Sequence, residues 1–152
     1  MLKEKLQRMS MLYMIITIAV MVCIQFIIGF LWYSKFLFGK LFMSLSNIDF
    51  TKIDNKSLNA SYAKALISAI LKAVIIYTMA GGMLILQNMP SFIFVLLIAF
   101  LVIFESFDDH IWSGKSFKLY LLNACQTFIT IIACFLIAFL SYSMFFSYAL
   151  FP

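Results

Sequence analysis

Residues 11–31 read MLYMIITIAVMVCIQFIIGFL, an apolar run without a single charged side chain. A helix rises 1.5 Å per residue, so about 20 residues cross a hydrocarbon core of about 30 Å. The run is long enough to span a bilayer, and it fixes the solvent in which the rest of the chain is read. Three further blocks, 65–86, 92–104 and 119–140, are free or nearly free of charge. Of the 152 residues, 65% are hydrophobic and 11% charged, against about 25% charged in soluble domains. That composition excludes an ordinary soluble domain. Continuous apolar runs also exclude a membrane β-barrel, whose strands alternate in segments of roughly ten residues.

The sequence therefore predicts an all-α integral membrane protein, a four-helix bundle forming one domain over 1–152. Its spans are expected at about 11–31, 65–87, 91–107 and 118–140. The third block is short and reaches adequate length only if Pro90 and Ser91 open it and Glu105 to Phe107 close it. Proline suits a first helical turn. Lys3, Lys5 and Arg8 precede the first run as they would in a signal peptide. The run is about twice the length of an ordinary signal core, and Gly29 is followed by Phe-Leu-Trp-Tyr, so it is read as a retained span.

The formal net charge of +5 is scattered between spans and makes no nucleic-acid face. Position is what it informs. Lys35, Lys40, Lys52, Lys56 and Lys64 fall between spans one and two, and Lys115 and Lys118 between three and four. Lys3, Lys5 and Arg8 occupy the N-terminal tail. The positive-inside rule then predicts a plasma or bacterial inner membrane protein with both termini outside. The inverted orientation stays open, since three basic residues ahead of the first span resist translocation. Cys23, Cys125 and Cys134 fall inside spans without CxxC spacing and read as structural thiols. No cofactor or metal is implied.

In the second span Ser61, Ala65, Ala69 and Ala73 recur every fourth residue, a spacing that lets backbones approach closely in lipid. Lys72 lies within the same span and has two readings. In the preferred one its four-carbon stem reaches back to the interface. In the other it faces the interior and pairs with Glu105. In the fourth span Asn123, Gln126, Thr127 and Thr130 form a polar stripe expected to face inward. Lys72, Glu105, Asn123 and Gln126 are thus the candidate polar interior. Glu105, Asp108, Asp109 and His110, in ESFDDHIW, could in principle hold a divalent ion or move a proton, but the plainer reading is a solvated interfacial charge cluster. No phosphate-binding glycine loop and no nucleophile elbow occurs, so nothing in the sequence compels an enzyme.

Residues 30–46 read FLWYSKFLFGKLFMSLS. As a helix over about 35–46, this segment would place Leu37, Phe38, Leu41, Phe42 and Leu45 on one face, the pattern of an amphipathic helix lying in the interface. Trp32 and Tyr33 would belt the exit of span one, with Trp32, Tyr33 and Ser34 packing against the bundle mouth near Asn123 or the third loop, and Lys35 and Lys40 would meet anionic lipid headgroups. The string resembles the signature of the domain of unknown function 1761 family, to which Gly29, Trp32, Tyr33, Ser34, Phe38, Gly39 and Lys40 correspond. The stretch from Gly114 through Asn123 and Ala124 is similar to the family's entry to its last span. Lys35 stands where the family commonly has Pro, and Phe42 where it commonly has Trp. The resemblance implies a four-span fold and no reaction. Three functions are carried forward. The first is a non-catalytic membrane module acting as a homo-oligomer or as a small subunit beside a partner protein. The second is a small transporter or channel, and the third an enzyme acting on a lipid-soluble substrate.

Overall fold

The first apolar run lies within helix α1, Leu2–Trp32, in a computed structural model that describes residues 2–46, 55–86, 93, 96, 98–100, 102–103 and 116–150. A short helix α2, Gly39–Ser46, follows, then two long ones, α3, Asn55–Leu86, and α4, Phe117–Leu150. The described residues contain no strand. The chain is all-α, as its charge-free runs predict. Three stretches, Arg8–Trp32, Ser61–Gly82 and Phe117–Phe145, are long and apolar enough to cross a membrane.

The remaining predicted span, 91–107, is described only at isolated helical positions. Ala99 among them is fully buried in the same cluster as Met21, Ala73, Ile131 and Cys134. Tyr120 of α4 donates its hydroxyl to the Ile103 carbonyl at 2.9 Å, fixing this segment against the start of the last helix. Glu105, Asp108, Asp109 and His110 lie outside the described residues.

α1, α3 and α4 pack on one another around a narrow core. Only 17% of the α1 window is buried, and large side chains such as Ile15, Ile27, Phe30 and Leu136 point outward. In water such an apolar surface would drive aggregation, whereas in lipid it costs nothing. Packing between helices then depends on small residues and internal hydrogen bonds.

The small-residue stripe of α3 does form a close contact, but displaced toward the helix C-terminus. Ala69, Ala73, Tyr77 and Ala80 are buried, whereas Ser61 and Ala65 are exposed. Gly81 and Gly82 lie inside the continuous helix. A Cβ at Gly81 would run into the ring and hydroxyl of Tyr142, which stacks on Tyr77 with centroids 4.6 Å apart. Gly81 therefore makes room for a partner helix. At the middle of α1, Thr17 is buried, donates to the Tyr13 carbonyl at 2.7 Å and shares a hydrogen bond with Ser141 of α4.

Candidate functional site

Two places gather the polar and aromatic residues that the sequence singles out. The first is the turn after α1. The interfacial helix expected over 35–46 begins only at Gly39, because residues 33–38 fold back on the helix they leave. The Phe38 amide donates to the Trp32 carbonyl at 3.1 Å, and the Gly39 amide to the Ser34 carbonyl at 2.9 Å. Ser34 Oγ donates to the Leu31 carbonyl at 2.7 Å. Gly39 is buried, and a Cβ there would sit 2.5 Å from the Tyr33 carbonyl oxygen and 2.6 Å from that of Ser34. Only glycine fits that approach without displacing backbone.

This turn holds two aromatic side chains against α4. Trp32 Nε1 donates to the Leu122 carbonyl at 3.2 Å, and the Tyr33 hydroxyl donates to Asn123 Oδ1 at 2.8 Å. The Trp32 ring packs on Phe38 and the Tyr33 ring on Phe42, with centroids 4.6 and 4.7 Å apart. Burial pushes the Tyr33 phenol above its ordinary value of 10.0, so it stays a donor through the physiological range. Gly29, one turn earlier, would place a Cβ 3.9 Å from Gln126 Nε2, an ordinary contact. Lys35, Phe36 and Lys40 are exposed, Phe36 almost completely at 97%. Of the expected apolar face, Phe38, Phe42 and Leu45 are half-buried, whereas Leu37 and Leu41 are exposed. Beside the clasp, Trp32, Phe38 and Leu41 face Leu121, Leu122 and Cys125 across an apolar groove of about 310 Å³ with Lys118 on its lining.

The second place is a cleft of about 320 Å³ between α1, α3 and α4. Gln25, Ser68, Lys72, Gln126, Thr127 and Thr130 line it together with apolar side chains that include Phe26, Ile76 and Ile131. Lys72 and Gln126, candidates for one polar interior, both line this cleft, Lys72 as an exposed residue and Gln126 as a half-buried one. Asn123 does not line this cleft, being exposed and held by Tyr33, and Glu105 lies outside the described residues. Gln25 is buried and donates Nε2 to the Ala69 carbonyl at 3.0 Å, which ties α1 to the close-packed face of α3. Thr130 Oγ1 donates to the Gln126 carbonyl at 2.8 Å, leaving the amide of Gln126 near the hydroxyl of Thr130 at 3.4 Å.

Gln25 and Thr17 were legible in the sequence only as lone polar residues inside the 11–31 run. In lipid each needs an internal partner, and that requirement is the signal that picks them out. The three cysteines are free thiols, Cys134 buried and Cys23 and Cys125 exposed. Among the described residues no group of His, Cys, Asp and Glu could hold a metal ion.

The sequence model of DUF1761, a protein of unknown function, matches residues 16–139, most of the chain and both partners of the clasp. The chain belongs to the DUF1761 family. The match runs from within α1, through the Trp32–Gly39 turn, to within α4, so the DUF1761 region contains both the clasp and the cleft. No curated protein and no solved structure matches it.

Proposed function

We propose that this DUF1761 protein is a non-catalytic, multi-pass membrane module of four spans whose signature motif is an internal clasp. The observation that carries this reading is how the motif side chains are used. Trp32 and Tyr33 reach across to Leu122 and Asn123, and Gly39 admits the backbone fold-back that aims them. A catalytic group must be offered to a substrate, whereas these groups bond the end of the first span to the start of the last. Phe36, Lys35 and Lys40 stand at the exposed tip of the same turn. An apolar side chain flanked by ammonium groups fits an interface with anionic headgroups, which makes the turn a membrane anchor as well.

A second reading, a small transporter or channel component acting as an oligomer, is favoured by one observation: Lys72 and Gln126 line a single cleft within candidate spans. The residues of the enzyme reading, Glu105, Asp108, Asp109 and His110, lie outside the described residues. Native-lipid mass spectrometry, together with a deletion phenotype, tests the module. Tyr33→Phe and Ser34→Ala should lower the amount of folded protein and the phenotype in proportion. A variant that keeps the folded amount and loses the phenotype would make the motif a chemical site instead.

A further inference from the structure

Lys72 stands midway along the Ser61–Gly82 stretch, 11 residues from Ser61, which places it about 16 Å from that end at 1.5 Å per residue. A four-carbon stem does not cover the whole of that distance, so an ammonium group here gains from polar partners nearer at hand. A cation at such depth persists where it meets a counter-charge or lines a hydrated cavity. Lys72 forms no ion pair among the described residues, and none of the chain's acidic residues has a described side chain. What it does face is the cleft between α1, α3 and α4.

The geometry points to an oxyanion-binding site in this cleft, with Lys72 as its charge and a carboxylate or phosphate group as its ligand. The ammonium group offers three N–H donors, the Gln126 amide one beyond that directed at Thr130, and the hydroxyls of Ser68 and Thr127 one each. All four residues lie on the lining, from α3 and α4. Among the described residues the lining offers a cation and neutral donors and no carboxylate, a set suited to an anion, and charge-assisted bonds to a cation are the strong ones. A volume of about 320 Å³ lies at the small end of ligand pockets, which run from about 300 to 1,000 Å³. It suits a small acid or the head of an amphiphile. Phe26 and Ile76 on the same lining suit a short carbon chain attached to the charged group. Ser68 stands one turn from Lys72 toward the Ser61 end and Lys64 one turn beyond, a polar line along α3 leading to the site.

The test uses the full chain in nanodiscs of phosphatidylcholine, with or without phosphatidylglycerol. Retained lipid is read by native mass spectrometry, and inorganic phosphate and butanoate are titrated against thermal unfolding. Saturable binding of at least one probe is expected. Lys72→Gln should weaken it about tenfold or more, the scale of one charge-assisted hydrogen bond, and Lys72→Arg should keep it within a few-fold. Phosphate or butanoate binding in phosphatidylcholine alone identifies a free oxyanion as the ligand. Binding confined to phosphatidylglycerol identifies a lipid head. Absence of both, or binding indifferent to Lys72→Gln, overturns the site. So does binding that emerges only in Glu105→Gln, since the lysine would then be neutralised within the chain. If Lys72→Gln does not fold, the double variant Gln126→Leu with Thr127→Val keeps the charge and removes two donors. It should weaken binding by at least several-fold, and unchanged binding there also overturns the proposal.

Discussion

The Tyr33 hydroxyl donates to Asn123 Oδ1 at 2.8 Å across 90 residues of sequence, joining the exit of α1 to the first turns of α4. Burial holds the Tyr33 phenol above 10.0. As pH rises past 10.0, the unfolded chain loses this proton before the folded one does. Stability contributed by Tyr33 is therefore fully present below that pH and is lost as pH rises through the folded value. Unfolding midpoints followed from neutral to alkaline pH should fall more steeply in the native protein than in Tyr33→Phe.

The glycines of the motif should separate cleanly. Gly39→Ala drives a methyl group against two backbone carbonyl oxygens and is expected to cost about 1–3 kcal/mol or to re-form the turn. Gly29→Ala meets only an ordinary contact with Gln126, and the gain in helix propensity is up to about 1 kcal/mol. Unfolding of both variants in mixed micelles checks the contrast.

Along α3, the close-packed face is predicted to be intolerant only where it is buried. Ala73→Leu inserts volume at a fully buried position and should cost about 1–3 kcal/mol. Ala65→Leu, at an exposed position, should leave the unfolding midpoint nearly unchanged.

Thr17 and Ser141 should couple. A cycle of Thr17→Val and Ser141→Ala is expected to show an interaction of about 0.6 kcal/mol, typical of hydrogen bonds between helices in lipid. Additive effects would mean that each hydroxyl is satisfied within its own helix.

Much of this was readable from the chain alone, because lipid makes composition decisive. Runs free or nearly free of charge announced α1, α3 and α4, since a backbone in hydrocarbon must satisfy itself within a helix. The clustering of Trp32, Tyr33, Ser34 and Gly39 marks the segment after span one as special, although it suggests an interfacial helix from about 35 where a turn to Gly39 forms. What the sequence left open was its use. Aromatic and basic side chains after a span fit a flat interfacial helix equally well, and only the contact with Leu122 and Asn123 distinguishes a clasp. Lys72 was ambiguous for a related reason. Periodicity places it on a face, but whether that face meets lipid or a cleft depends on how three helices come together. Gln25 lay unnoticed inside an otherwise apolar run, although its burial and its bond to Ala69 help define that cleft.

The clasp itself is tested most directly by a double-mutant cycle on Tyr33→Phe and Asn123→Ala, with unfolding of the full chain measured in mixed micelles. A true hydrogen bond between them predicts a coupling of about 0.5–1.5 kcal/mol. Effects that add to within about 0.3 kcal/mol would mean that the two side chains do not meet, and would contradict the motif as a clasp.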